Sequence, residues 1–178
     1  MGQTPDLAAM LAESVRAFNE YRANHPGEPV MLAGVDLHGL NLAGADLRGA
    51  CLTEANLAWC DLKCADLEGA DLRRCLFEGS NLSGARLDGA SMELANLRSA
   101  SLEGASLRGA NLYSGTFQGA SLQNASLRGG HFRKVSFCDS DLRGAVATGA
   151  DFGEADMRWA KFEVADFADA DLSSARLR

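Results

Sequence analysis

Ala45-Asp46-Leu47-Arg48-Gly49 and Ala65-Asp66-Leu67-Glu68-Gly69 are two copies of one five-residue unit, and Ala105-Ser106-Leu107-Arg108-Gly109 and Ala165-Asp166-Phe167-Ala168-Asp169 are two more. Outward from these, the centre position recurs at Leu32, Leu37 and Leu42 and runs in unbroken steps of five to Leu177, about thirty units in all. In extended chain alternate side chains share a face, so the Ala and Leu of each unit point one way and the Asp, Asn or Ser between them the other. Five is odd, so a continuous strand would throw successive Leu residues to opposite faces. A corner in every unit is required to turn each Leu inward again, and Gly39, Gly44, Gly49 and Gly69 stand where that corner needs positive φ. Four right-angled corners close a coil of about twenty residues, which gives about seven or eight coils. At about 4.8 Å between paired strands the rod is about 35 Å long.

These Ala-Asp/Asn-Leu-X-X units resemble those of the pentapeptide-repeat family, from about Val30 to the last residue. The resemblance implies an all-β solenoid, a right-handed quadrilateral parallel β-helix, and the handedness comes from it alone. Composition agrees with a narrow core of small and medium side chains: 47% of the 178 residues are hydrophobic but only 7% aromatic, and 19 are Gly. The length suits a single domain, with residues 1–27 as an N-terminal helical cap and 28–178 as the β-helix.

In the cap, Leu7, Met10, Leu11, Val15, Phe18 and Tyr21 recur near helical spacing. Thr4 is the expected N-cap, Pro5 falls in the first turn, and Asn24-His25-Pro26-Gly27 stops the helix. Its apolar stripe is expected to cover the first coil and its unpaired strand edges. Within the rod, residues twenty apart lie above one another. One face carries Leu47, Leu67, Leu87, Leu107, Leu127, Ala147 and Phe167, with Gly49 to Gly149 marking its corners; Phe167 is expected to fill the volume lost at Ala147.

Chemistry-bearing residues fall into the repeat register. Cys60 and Cys75 take the small inward position, Cys64 a corner, and Cys51 and Cys138 outward positions expected to leave exposed thiols. No four ligands converge at metal spacing, so no metal or cofactor is expected. His25, His38 and His131 lie far apart, and His131 replaces an outward Asp or Asn, which reads as a solvated imidazole. Paired carboxylates are a ladder imposed by the repeat, so no catalytic residue is assigned and the chain is read as a non-enzyme.

Trp59 and Trp159 occupy corners one hundred residues apart, hence on one edge of the rod. Each is either an interface anchor or a ring lying flat over neighbouring units. Leu94 and Tyr113, predicted outside on another face, carry the same two readings.

With 17 Lys and Arg against 24 Asp and Glu, the net charge of −7 opposes direct binding to nucleic acid. Charge is uneven: residues 30–73 carry a net of −4, residues 74–134 a net of +3, and residues 139–171 a net of −6. Five Cys and a start, Met1-Gly2-Gln3-Thr4-Pro5-Asp6, without the flanks of a secretory signal point to a reducing cytoplasm. No apolar stretch approaches a membrane span.

Two functions follow. The first is a rigid protein-interaction module. The alternative is drawn from the resemblance, which includes members that mimic duplex DNA, bind DNA gyrase or topoisomerase IV and confer antibiotic resistance. On that alternative Asp141, Asp151, Asp156 and Asp166 in the acidic third are the contact candidates. The in-register C-terminal end, with Phe162, Phe167, Leu172 and Leu177, is expected to form a homodimer end to end. There Asp166, Asp169 and Asp171 would face Arg176 and Arg178 of the other copy.

Overall fold

The structure, a computed structural model, describes residues 6–178. Met31 pairs in parallel with Cys51, Asp36 with Asn56, and so on every five residues to Asp156 with Arg176, always at a separation of twenty. Three backbone hydrogen bonds per unit join neighbouring coils. At mid-rod, the Leu107 N–H donates to the Ser126 carbonyl at 2.7 Å, the Gly109 N–H to that of Arg128 at 3.0 Å, and the Ser126 N–H to that of Ala105 at 2.9 Å. The result is a right-handed, four-sided parallel β-helix.

Each corner is a four-residue turn closed by a bond such as Ala110 N–H to the Leu107 carbonyl at 3.2 Å. Positive φ falls on the third residue of every corner from Gly34 to Ser174, as a type II turn requires. Fourteen of these residues are Gly, yet fifteen are not, among them Trp59, Leu94 and Val164. A side chain in the left-handed region costs about 1–2 kcal/mol, so these positions are held by the stacked coils around them.

Where it is Asp or Asn, the polar residue before the central Leu or Phe has a specific backbone duty. The amide two residues after it makes no backbone hydrogen bond among the described residues, and the side chain supplies the acceptor: Asp61 for Lys63 at 3.1 Å, Asn96 for Arg98 at 3.2 Å, Asp171 for Ser173 at 2.8 Å. Short carbonyl-bearing side chains reach that amide, which is why Asp and Asn dominate the position.

Inside, Leu and Ala positions are fully buried from Leu42 to Phe152. Ser80 and Ser140 replace the small inward Ala, and their hydroxyls donate to the Phe77 and Phe137 carbonyls at 2.7 and 2.6 Å. In the distal coils Phe117 stacks on Phe137, and Phe132 on Phe152, with ring centroids 5.1 and 5.2 Å apart. Phe167 adds an edge contact to Phe152 at 5.4 Å. Ala147 is fully buried in the same distal core.

The cap is two helices rather than one: α1, Leu7–Glu13, and α2, Val15–Asn24. Ser14 breaks the stripe because its hydroxyl accepts from the Ala17 N–H, making it the C-cap of α1 and the N-cap of α2. Thr4 and Pro5 lie outside the described residues; the N-cap of α1 is Asp6, which accepts from Ala8 and Ala9. Leu11 and Phe18 are buried against the first coil. Along the Leu47 side, α2 stands in for the missing coil: the Asp46 N–H donates to Asn19 Oδ1 at 2.8 Å, and Arg22 Nη2 donates to the Arg48 carbonyl at 2.7 Å.

Gly109 isolates the corner energetics, because φ is +63° and no atom lies within 4 Å of the position a Cβ would take. We expect Gly109→Val to lower stability by about 1–2 kcal/mol through backbone conformation alone, and Gly109→Asn by less, since Asn tolerates the left-handed region. Urea melts of the two variants check this; equal losses would mean that the corner is not conformationally selective.

Candidate functional site

The last coil is where the repeat's own bonding runs out. One coil earlier, the amides of Leu142, Ala147 and Phe152 each donate at 2.7 Å to Lys161, Asp166 and Asp171. The corresponding amides of Phe162, Phe167 and Leu172 have no acceptor among the described residues. Apolar side chains collect beside this open edge: Met157, Phe162, Phe167, Leu172 and Leu177 line a shallow depression of about 110 Å³. Val164 stands 94% exposed at the adjoining corner, and Trp159 is 65% exposed with the Arg158 guanidinium 5.2 Å from its ring centre. Sequence reasoning missed Val164, although a β-branched residue at a corner is a legible signal.

Trp59, also on the Trp159 edge but about 24 Å down the rod, has a different setting. Its ring lies over the next corner, so close that a Cβ at Gly79 would be 2.6 Å from ring atoms. It is 61% exposed all the same, offering its outer face. Leu94 and Tyr113 are exposed on another edge, with Lys134 Nζ 5.6 Å from the Tyr113 ring centre.

The four acidic candidates are not brought together. Asp141, Asp151, Asp156 and Asp166 sit on four different sides, because their positions differ by five, ten and fifteen residues within a period of twenty. Two are bound into forks with the Arg two residues on: Asp141 with Arg143, and Asp156 with Arg158, each with a contact of 2.6 Å. The Arg143 hydrogen bonds hold the Asp141 carboxyl down at about 2, and Arg158 holds Asp156 lower still. Asp151 accepts from the Gly153 amide at 2.8 Å, and Asp166 from Ala168 at 2.9 Å. The basic waist is likewise internally paired in part: Arg74 with Glu54 at 3.1 Å, Arg86 with Asp66 at 2.8 Å, and Arg133 with Glu154. An Arg placed two residues after an Asp was the readable signal for the forks.

The cysteines divide by register. The Cys60 and Cys75 thiols donate to the Leu37 and Leu52 carbonyls at 2.9 and 2.8 Å. Burial pushes both upward, Cys75 to about 12, so they stay protonated and unreactive. Cys64 is exposed at its corner, but Cys138 is buried, contrary to the expectation of an open thiol. Its Sγ lies 4.0 Å from the Asp156 carbonyl one coil up, on the side where Arg158 is forked to Asp156. His131 is exposed in the outward ladder, paired through its backbone with Asn111 and Asp151. Among the described residues no three His, Cys, Asp or Glu side chains converge as a metal site, and no helix is long and apolar enough to cross a membrane.

A family model of pentapeptide repeats matches in eight copies that together span residues 32–178. Similar solved structures include HetL, a pentapeptide repeat protein involved in heterocyst differentiation regulation from the cyanobacterium Nostoc sp. strain PCC 7120. It is 25% identical, with 88% of this chain and 92% of that one covered and a TM-score of 0.32. A pentapeptide repeat protein of the Arabidopsis thaliana thylakoid lumen is 27% identical over 61% of this chain and 68% of its own, with a TM-score of 0.34. The plasmid-mediated fluoroquinolone resistance protein QnrB1 is 18% identical over 84% and 89% of the two chains, with a TM-score of 0.47. No curated protein sequence matches the chain.

The forks make stability pH-dependent in a definite window. The folded Asp141 carboxyl titrates at about 2, as does Asp71 beside Arg73, below the about 3.9 of an unfolded Asp. Their contribution is therefore present above about pH 4 and lost as pH falls through about 2. Thermal melts stepped across that range should show wild-type stability falling and Asp141→Asn falling less steeply; parallel curves would remove Asp141 from the account.

Proposed function

The chain belongs to the pentapeptide-repeat family, and from that premise we propose that it acts as a non-enzymatic rigid interaction module whose principal contact surface is the open C-terminal coil. The observation that carries this is the co-location there of unpaired backbone donors with Trp159, Phe162, Val164, Leu172 and Leu177, while the Leu–Ala core elsewhere is sealed. A backbone edge with an apolar centre fits a protein partner, and most simply a second copy of the same edge about a twofold axis. Such a contact brings Asp166, Asp169 and Asp171 near their counterparts, with Arg176 and Arg178 available to pair across it. Association should then respond to salt. Light scattering at micromolar concentration is expected to give twice the 18.8 kDa of the chain, reverting to a single chain in Leu177→Glu. A mass of one chain in both proteins would remove the homodimer.

The second reading is a DNA mimic that binds DNA gyrase or topoisomerase IV, favoured by the net of −6 over residues 139–171. It is the weaker reading, because the acids are spread over four sides and two of them are already neutralised by Arg. Replacing Asp141, Asp151, Asp156 and Asp166 by Asn keeps the turn acceptor and removes the charge. On this reading the wild-type protein alters gyrase supercoiling in the presence of a quinolone and the Asn variant does so less; no effect of the wild-type protein at any concentration eliminates it.

A further inference from the structure

The two ends of the rod are complementary by construction, since each coil presents upward what the next coil requires below. At internal junctions the lower edge of a coil donates from its outward amide, as Asp66 does to Ala45 at 2.9 Å, and accepts at the residue after the Leu, as Glu68 does from Gly49 at 2.9 Å. In the first coil the same two positions, Asp46 N–H and the Arg48 carbonyl, are occupied instead by Asn19 and Arg22 of α2. A second Asn19 bond, Nδ2 to the Gly44 carbonyl at 2.9 Å, clamps the helix across the corner. Phe18, fully buried, fills the place of the side chains that a coil beneath would contribute.

We propose that the α1–α2 segment is a stopper occupying a binding surface for the C-terminal edge of a second copy of this chain. With it in place, head-to-tail stacking is barred and association is confined to the C-terminal end, where it closes. With it displaced, the first coil accepts the last coil of another copy, and heterologous contacts of that kind do not close. The nearly square cross-section lets the incoming coil meet its partner at any quarter turn. Both ends are acidic, with a net of −4 over residues 30–73 and −6 over residues 139–171, so stacking is expected to strengthen with salt.

The test uses the full chain. Phe18→Asp releases α2, and its mass by light scattering should rise several-fold with concentration and with salt, as unbranched rods of single-coil width in electron micrographs. Adding Leu172→Asp and Leu177→Asp at the other end should return it to one chain. Wild-type protein has a blocked first coil and offers its C-terminal edge only in exchange with its own end-to-end contact, so added in excess it should shorten the rods. Should Phe18→Asp unfold the coils, Asn19→Ala with Arg22→Ala leaves Phe18 seated and is expected to show the same growth more weakly. The proposal is overturned if neither variant grows, or if growth is indifferent to Leu172 and Leu177 or to added wild-type chain. A monomeric wild-type protein would count against the homodimer alone, because the stopper is read from what happens on its release.

Discussion

The composition of this rod is shaped by the need to satisfy one backbone amide at each corner. The first N–H of a corner makes no backbone hydrogen bond among the described residues, and wherever Asp or Asn stands two residues earlier that side chain supplies its acceptor; at Arg108 the acceptor is instead Asp88 of the neighbouring coil, at 2.9 Å. A buried or half-buried amide left unpaired costs about 1–3 kcal/mol, and the side-chain acceptor recurs at every Asp and Asn in that position. Asp and Asn meet the need with a short side chain whose oxygen reaches back. The acidity of the rod is thus in good part a consequence of turn chemistry rather than a surface drawn for a partner. The Arg forks at Asp46, Asp71, Asp141 and Asp156 keep the acceptor and cancel the charge.

That origin of the charge separates what was legible in the sequence from what was not. The period of five forced a corner per unit and an inward Leu, and the structure has both. Backbone periodicity, however, says nothing about which side chain leans on which. Cys138 looked open because its register position faces solvent, yet its neighbours one coil away cover it. The cap looked like one helix because hydrophobic spacing does not register a serine that turns its hydroxyl onto the backbone; Ser14 does so, and the helix divides. The four acidic candidates looked like a group along the chain but fall on four sides of the coil, a separation that the period of twenty already contained.

The two ends of the rod differ in kind. At the first coil, side chains of α2 imitate the hydrogen bonds of an absent strand, and Leu11 and Phe18 complete the core. At the last coil, the same core ends in Phe162, Leu172 and Leu177 partly in solvent. A solenoid has no closed sheet, so its edges are the only places where its cohesive forces remain unspent, and covering one of them sets a direction for whatever joins the other.

The corners supply the remaining freedom. A rod of repeated units offers four similar faces, on which the Asp and Asn side chains are tied to the turn amides while Leu76, Arg86, His131 and Lys161 take the same outward position. At the corners the third residue touches almost nothing inside, so its identity is constrained only by the strain of positive φ, about 1–2 kcal/mol for a side chain against none for Gly. More than half of the corners accept that strain, and Trp59, Leu94, Trp159 and Val164 do so with large apolar groups turned to solvent. The same strain is carried by polar residues such as Arg74, Ser99, Lys134 and Glu154, so the stacked coils hold the corner geometry whatever the side chain. Trp59 is braced on Gly79 and Leu94 stands exposed at mid-rod, while Trp159 and Val164 border the open edge, so among the described residues the strained apolar corners adjoin unpaired backbone only where the coil has no successor.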